Sequence, residues 1–470
     1  MAHFNAKVTN ETVNFAGGKA YKMNAEQELA HAVLSSFLDN KFYESGSDRL
    51  ARLVTLCKQV SPEYLSALAY FARKECHMRT TPVVLLGELA KNHKGNSIVW
   101  KSIERAIERV DDMTELTAYF EGKPPSQVKR GLRRAILKFN RYALSKYKGE
   151  GKTIKLVDLF NLTHPNSKYA SDEQKQAWKD LMTGKLSSAN ETWESVISAS
   201  KDKQHDWEKL VYEDKLGYMA MLRNLNNLIK NDVSKETISL VAKRLVDPEK
   251  VKKSKQLPFR FATAYNTVDG NVKLKDAISE ACDIALDNID MLPGKTLIAL
   301  DCSGSMGSGV DSHFGKGSLF AAALFKKSED VDFVMYDTQL YKASFSRRTP
   351  LLDVVNQLKA NGGGTQTSLV FDYCVLEHKV FDRVIIISDN ESWIDDTQGN
   401  KNVYMKMAPE SHIFCIDIAG YGTKDITGQN THYITGWSDN VLQFIKFTEQ
   451  GKTLVDTIKT YETKNNDLPK

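Results

Sequence analysis

Long apolar runs are absent from this sequence. Its 470 residues include no uninterrupted apolar stretch of the roughly 18 to 20 residues that a membrane-spanning helix needs. The opening segment MAHFNAKVTNETVNF also has no basic stretch followed by an apolar one, which a secretory signal would have. We therefore expect a cytoplasmic protein without a membrane partner.

Cysteine is scarce, and the common enzyme motifs are missing. The six cysteines are scattered, with no C-x-x-C pair and no cluster with histidine, so we expect reduced core cysteines rather than a zinc site. Gly315 and Lys316 are followed by Gly317 instead of the serine or threonine of a phosphate-binding loop. No G-x-S-x-G nucleophile turn occurs either. These absences favour a protein that is not an enzyme.

Charge is distributed unevenly along the chain. Residues 295–470 have 18 Lys and Arg against 22 Asp and Glu, a net charge of −4. The remaining residues have 46 against 37, a net charge of +9. The positive part is the one that attracts a polyanion.

The first part of the chain has helical periodicity. From about residue 25 to 290, apolar residues recur at helical spacing, as in Leu50, Leu53 and Cys57. Serine before Pro62 and threonine before Pro82 are typical helix starts. Short helices joined by short loops predict an α-solenoid of stacked pairs.

The pattern changes near residue 293 to apolar strands that alternate with helices. The strand candidates are KTLIALD (295–301), VDFVMYD (331–337), FDRVIIISD (381–389) and HIFCIDIAG (412–420). Helical candidates at 316–328 and 367–379 lie between them, which predicts a doubly wound parallel sheet. The fold class is therefore multidomain, an α region at 1–292 followed by an α/β domain at 293–470.

Polar residues follow the predicted strands where a ligand site is expected. D-x-S-x-S follows the first strand, a threonine follows three glycines, and an aspartate ends a later strand. Carboxylate and hydroxyl oxygens are ligands for a hard cation such as Mg²⁺; a serine-rich helix cap is the alternative. The pattern resembles the metal-ion-dependent adhesion site of von Willebrand factor type A domains. The predicted ligands of Mg²⁺, or alternatively Mn²⁺, are Asp301, Ser303, Ser305, Thr365 and Asp389.

One stretch of the helical region is strongly basic. Between Lys123 and Lys155 it has eleven basic residues and a single acid, Glu150. Spacings of four, four and three residues from Arg130 to Arg141 predict one cationic helix face, with aromatic residues interleaved. Such a surface suits phosphates and unstacked bases, whereas a merely solvated face normally includes acids. The predicted RNA-binding residues are Arg130, Arg133, Arg134, Lys138, Arg141, Lys146, Lys148, Lys152 and Lys155, with Phe139, Tyr142 and Tyr147 among them.

A basic helical region followed by one such α/β domain resembles the Ro autoantigen family. In that family a helical TROVE module precedes a von Willebrand factor type A domain. VKRGLRRAILKFN (128–140), DLFNLTHP (158–165) and YMAMLRNLNNL (218–228) resemble family segments, and IALDCSGSM and IISDNES resemble its metal-site strands. Within this family, the chain resembles Ro-like proteins of bacteria or phages.

The resemblance implies a ring of HEAT-like repeats closed by the A domain. It implies small noncoding Y-like RNA on the outer basic surface, single-stranded 3′ ends of misfolded RNA in a central hole, and an exoribonuclease as a working partner in RNA quality control. By matching segments, Lys146, Lys148 and His164 are implied as RNA contacts.

Two other functions stay open. In the first, the solenoid and the A domain form a metal-dependent adhesion module that captures an acidic protein ligand. In the second, Mg²⁺ hydrolyses phosphodiesters, but no general base accompanies the five oxygen ligands.

Overall fold

The structure is a computed structural model. It describes residues 11–34, 46–76, 78–149, 151–187, 193–256, 258–289, 291–393, 396–435, 445, 448–449 and 453–464. The chain divides into two compact units, one formed by Met1–Met23 with Trp193–Gly451 and the other by Asn24–Thr192 with Lys452–Lys470. The predicted boundary between an α region at 1–292 and an α/β domain at 293–470 does not coincide with the division between these two units, and it stays a prediction.

The helices are numbered in chain order. They are α1 Ala25–Leu34, α2 Gly46–Cys57, α3 Pro62–Lys74, α4 Thr80–Asn92, α5 Ser97–Ala106, α6 Val110–Tyr119, α7 Ser126–Ala135, α8 Arg141–Lys146, α9 Leu156–Thr163, α10 Asp172–Met182, α11 Trp193–Ala199, α12 Lys203–Tyr212, α13 Tyr218–Arg223, α14 Leu225–Lys230, α15 Lys235–Leu245, α16 Pro248–Ser254, α17 Pro258–Thr267, α18 Val272–Ala285, α19 His313–Lys327, α20 Leu351–Gln357, α21 Ser368–Leu376, α22 Thr397–Met407 and α23 Leu454–Lys464. Within the described ranges, no helix combines the length and apolar character needed to cross a membrane.

The strands are numbered in the same way. They are β1 Glu11–Val13, β2 Lys19–Lys22, β3 Leu292–Asp301, β4 Ser328–Tyr336, β5 Leu340–Ala343, β6 Arg383–Ser388, β7 His412–Asp417, β8 Thr423–Lys424 and β9 Thr431–Thr435.

The unit that starts at Asn24 consists of paired helices. α3 packs on α4 and α5 on α7, and α23 packs on α3. The predicted helix start before Pro62 is confirmed, because the Ser61 hydroxyl accepts a hydrogen bond from the Tyr64 amide. The start before Pro82 is displaced: α4 begins at Thr80, so Pro82 lies in the first turn without a serine or threonine cap.

The other unit contains the predicted parallel sheet. Its strand order is β5-β4-β3-β6-β7-β9, and all neighbours are parallel except the antiparallel pair β4 and β5. β3 and β6 lie at the centre, and their apolar residues are buried, as expected for strands covered on both faces. The predicted fold class of helical repeats followed by a doubly wound sheet is thereby confirmed. Helices α11 to α18 belong to this same unit.

A second, small sheet in this unit was not predicted from the sequence. β1 pairs with β2, and β2 pairs with β8, both antiparallel. The cysteines agree with expectation, since none forms a disulfide and all except the half-buried Cys76 are buried.

Candidate functional site

Asp301 lies at the carboxyl end of β3 and is fully buried. Its Oδ1 accepts a hydrogen bond from the Ser303 amide at 2.9 Å, and its Oδ2 accepts one from the Ser388 hydroxyl at 2.7 Å. The hydroxyl oxygens of Ser303 and Ser305 are 3.4 Å apart. The loop after β3 therefore folds back over the carboxylate and places the two predicted serine ligands side by side.

The glycine loop that precedes Thr365 is hydrogen bonded to this first loop. The Gly304 amide donates to the Gly363 carbonyl at 2.8 Å, and the Gly362 amide donates to the Cys302 carbonyl at 3.0 Å. A Cβ on Gly363 would lie 2.9 Å from Oδ2 of Asp337, so a side chain at this position would collide. Thr365 follows two residues later and is buried.

Asp389 follows β6, the strand beside β3, and its side chain is fully buried. Its pKa is raised well above the usual range by burial and then by the charge of Asp301, while the Ser305 hydroxyl partly offsets the shift. Burial likewise raises the pKa of Asp301 to about 6. No described residue forms a hydrogen bond with Asp389 Oδ2. A divalent cation would stabilise both ionised carboxylates and provide a partner for that oxygen.

The residues present thus fit a hard cation. The candidate ligand set consists of two carboxylates and three hydroxyls. In the described part of the chain, no group of three or more His, Cys, Asp or Glu side chains offers an alternative metal site. Hydroxyls are neutral, and a cation held by them keeps positive charge for a further ligand.

Sequence reasoning missed two residues around this site. Ser388 precedes Asp389 and donates to Asp301. Asp337 follows β4, is buried, and its charge adds to the raised pKa of Asp301. The strand-end signal that indicated Asp301 and Asp389 applies equally to Asp337.

The raised pKa of Asp301 predicts how stability depends on pH without divalent cations. The carboxyl has a usual pKa of 3.8 and a folded pKa of about 6, so the folded state binds more protons over that interval. Its stability then falls as pH rises. We expect the free energy of unfolding in chelator to drop by about 2 kcal/mol more between pH 4.5 and 7 for the wild type than for Asp301→Asn. Parallel pH curves in urea unfolding would contradict this.

The predicted basic surface is divided among several elements. α7 ends at Ala135, and α8 begins only at Arg141 after a 3-10 turn. The Asn140 side chain accepts a hydrogen bond from the Ala143 amide at 3.0 Å and so starts a new helix. The prediction of one helix face shared by Arg130, Arg134, Lys138 and Arg141 is therefore wrong.

Two of the predicted RNA-binding cations cap helix ends. Nε of Arg133 donates to the Thr163 carbonyl at the end of α9 at 2.6 Å. Nζ of Lys138 donates to the Ile107 carbonyl just after α5 at 3.0 Å and also to the Glu104 carbonyl. The Lys138 residue as a whole is exposed, but desolvation of its ammonium against these carbonyls lowers its pKa to about 8. A cation is favourable at a helix C-terminus, where carbonyls lack helical partners.

Lys138→Met is expected to lower stability and to leave RNA affinity nearly unchanged. The carbonyls at the end of α5 would lose their donor, a loss of about 1 kcal/mol, which corresponds to a drop of roughly 2–4 °C in Tm. Calorimetry and RNA titration of the same preparation measure both quantities. An RNA affinity that falls tenfold at unchanged Tm would assign Lys138 to RNA instead.

Three other predicted cations form ion pairs on the surface of the helical unit. The distance from the side-chain nitrogen to the carboxylate oxygen is 2.6 Å in each pair. The pairs are Arg134 with Glu104, Arg141 with Asp180 and Lys152 with Glu115.

The remaining five predicted residues are mostly exposed, as are Arg133, Arg134, Lys138 and Lys152. Arg130, Lys146, Lys155 and His164 are exposed, and Lys148 is half-buried. The Arg130 guanidinium lies 4.3 Å from the ring centre of Trp100, and Lys146 lies 6.0 Å from those of Tyr142 and Tyr147. Phe139 is buried and is not an accessible aromatic group.

Trp100 is the functional candidate that sequence reasoning missed here. It lies on α5, outside the basic stretch, and only the packing of α5 on α7 brings it beneath Arg130.

His164 follows the last residue of α9 and has a left-handed backbone conformation with φ of 46°, which ends the helix at an exposed position.

The fold and the strand-end site define a helical-repeat protein with a von Willebrand A-type domain. The family model for the TROVE domain matches residues 178–291, and the model for the Ro60 vWA domain matches residues 295–405. The chain therefore contains a region similar to the TROVE domain followed by a region similar to the Ro60 vWA domain. The predicted RNA-binding residues lie before both matched ranges, whereas the predicted metal ligands lie within the second.

Individual proteins give shorter or more distant matches. The chain is 43% identical over 79 residues to telomerase protein component 1 of Mus musculus, covering 17% of this chain and 3% of that protein. It is 25% identical over 220 residues to RNA-binding protein RO60 of Caenorhabditis elegans, covering 43% and 34%. The chain thus spans a small part of the first relative and about a third of the second.

One solved structure shares the fold over most of the chain. The crystal structure of the Deinococcus radiodurans RO (RSR) protein superposes with a TM-score of 0.63 and covers 91% of this chain and 100% of that one. Because the sequences are 16% identical, this likeness shows the fold alone.

Proposed function

We propose that the protein is a non-enzymatic RNA-binding scaffold. The observation that carries the proposal is the group of exposed cations beside aromatic rings on the helical unit, above all Arg130 over Trp100. Cations beside aromatic rings favour phosphates and stacked bases. The similarity to a relative named as RNA-binding protein RO60 supports the same function.

The RNA class follows from family likeness and surface chemistry together. Small structured Y-like RNA is the proposed ligand of the basic face, and single-stranded 3′ ends of misfolded RNA are the second proposed ligand. Noncoding-RNA quality control in the cytoplasm, with an exoribonuclease as partner, is the setting that fits these ligands. The face is assigned to Arg130, Lys146, Lys148, Lys155 and His164. Arg130 lies over the Trp100 ring, Lys146 lies beside the rings of Tyr142 and Tyr147, and the other three follow in the same part of the chain.

The strand-end site serves in this proposal as a docking point for a protein. Asp301, Ser303, Ser305, Thr365 and Asp389 would hold Mg²⁺ or Mn²⁺, and the bound ion would supply positive charge for a carboxylate of an acidic partner. Trp393 and Val310, which are about half exposed, follow two of the ligand loops and offer apolar contacts to that partner. The proposed cation site with these two apolar side chains beside its loops also favours the adhesion module as a second candidate function.

Co-purifying nucleic acid separates the two candidates. The RNA scaffold predicts a raised 260/280 absorbance ratio after purification at moderate salt and a fall of this ratio after a high-salt wash. A ratio typical of pure protein at low salt, with no retention of added structured RNA, would favour the adhesion module.

A further inference from the structure

A hairpin near the start of the chain belongs to the same unit as the strand-end site. β1 pairs with β2, with Val13 opposite Lys19. β2 also pairs with β8, with Tyr21 opposite Lys424. The turn that joins β1 and β2, residues 14–18, is packed against the segment Glu391–Trp393, which comes directly after Asp389 and Asn390.

Asn14 makes the central contact of this turn. Its Nδ2 donates to the Ser392 carbonyl at 2.7 Å, and its Oδ1 accepts from the Gly18 amide at 2.7 Å. The side chain is buried, so both bonds form away from water. A buried hydrogen bond between segments 378 positions apart is not a consequence of local turn geometry.

Gly18 allows the close approach. A Cβ at this position would lie 2.0 Å from the Ser392 carbonyl oxygen and 2.7 Å from Cα of Trp393. Both obstacles are backbone atoms, so even an alanine would push the turn and the segment apart.

Ser392 connects the turn to a second ligand loop. Its hydroxyl donates to the Thr365 carbonyl at 3.3 Å and accepts from the Thr367 amide at 3.2 Å. The Trp393 amide also donates to the Thr365 carbonyl at 3.3 Å. The segment held by Asn14 therefore lies between the loops that contain Asp389 and Thr365.

Glu391 supplies a further tie to the same hairpin. Its Oε2 accepts from the Ala16 amide at 3.1 Å, and its Oε1 accepts from the Thr423 hydroxyl on β8 at 3.3 Å. The fully buried carboxylate is thus held by the turn on one side and by the strand that pairs with β2 on the other.

We infer that the hairpin Glu11–Lys22 is a positioning element for the cation site, with Asn14 and Gly18 as its positioning residues. By fixing Ser392 it fixes the spacing between the loops of Asp389 and Thr365, and Mg²⁺ tolerates little deviation from its preferred geometry. The inference rests on the proposed cation binding at Asp301 and Asp389.

The test is Mn²⁺ titration of the full-length protein by calorimetry. Asn14→Ala and Gly18→Ala are each expected to raise the Kd for Mn²⁺ about tenfold, the usual lower bound for loss of an outer-shell contact. Val13→Thr is the matched control, because Val13 lies in the same hairpin but is 64% exposed; its Kd should stay within about twofold of the wild type. Amide exchange at Ser392 and Trp393 should become faster in the two variants only.

The outcomes separate the inference from its premise. If the wild type binds no Mn²⁺, the cation site itself is overturned. If the wild type binds Mn²⁺ and both variants bind it with the same Kd, the inference is overturned. A lowered Tm of the variants together with an unchanged Kd would make the hairpin a stabilising element only. If Gly18→Ala does not fold, the Kd of Asn14→Ala decides.

Discussion

Replacing Arg130, Lys146 and Lys155 together by glutamine is expected to weaken RNA binding about 100-fold at 0.15 M salt. Each cation that neutralises a phosphate contributes roughly a factor of five at this ionic strength, because it releases condensed counterions from the RNA. The slope of log K against log salt concentration should become shallower by about two to three. Titration of a labelled structured RNA at four salt concentrations measures both effects.

The chain offers a control with the same change in net charge. Arg134 is unsuitable for it, because its guanidinium also lies 5.1 Å from the ring centre of Trp100. Arg141, Lys152 and Lys175 lie on the same helical unit and have acidic partners at 2.6, 2.6 and 2.9 Å. Their triple glutamine variant should lose less than about fivefold in affinity, because paired cations release fewer counterions. Equal losses in both triple variants would show that net charge, rather than this face, governs binding.

Asp301→Asn is expected to raise the Kd for Mn²⁺ at least 100-fold. It removes one of only two carboxylates in the proposed ligand set, and asparagine keeps the shape of the side chain while removing its charge. Because Asp301 is buried beside Asp389, its neutralisation also lowers the cost of burying the remaining carboxylate. The variant should therefore be at least as stable as the wild type in chelator.

Asp311→Asn is the control for this experiment. Asp311 is exposed in the loop that follows the two predicted serine ligands, so the charge change is the same but lies outside the site. Mn²⁺ affinity should stay within about twofold of the wild type. If Asp301→Asn bound Mn²⁺ as tightly as Asp311→Asn did, the ion would lie elsewhere.

The strand-end site was largely predictable because sheet geometry constrains it. The carboxyl ends of parallel strands meet at one edge, so polar residues that follow apolar runs mark the site without knowledge of the packing. The structure joins the loops of Asp301, Gly363 and Asp389 by hydrogen bonds and a shared electrostatic environment. The hairpin at Asn14 was not predictable, since its partner Ser392 lies 378 positions away.

The basic face was less predictable because sequence shows charge but not partners. Lys138 has the spacing of a helix-face residue, yet its ammonium caps α5 across 31 positions. Trp100 gave no signal at all, since its role beside Arg130 depends on the packing of α5 on α7. Helical periodicity predicted a helical region from about residue 25 to 290 without the bounds of most helices, and the cap at Asn140 broke a pattern that spacing alone made continuous.

Ultraviolet crosslinking of structured RNA to the full-length protein, followed by mass spectrometry of the crosslinked peptides, tests the central claim most directly. The proposed surface predicts crosslinks in peptides that contain Trp100, Tyr142 or Tyr147, and their loss in the Arg130, Lys146 and Lys155 triple variant. Crosslinks confined to residues 295–470, or unchanged in that variant, would contradict the assignment of RNA binding to this face.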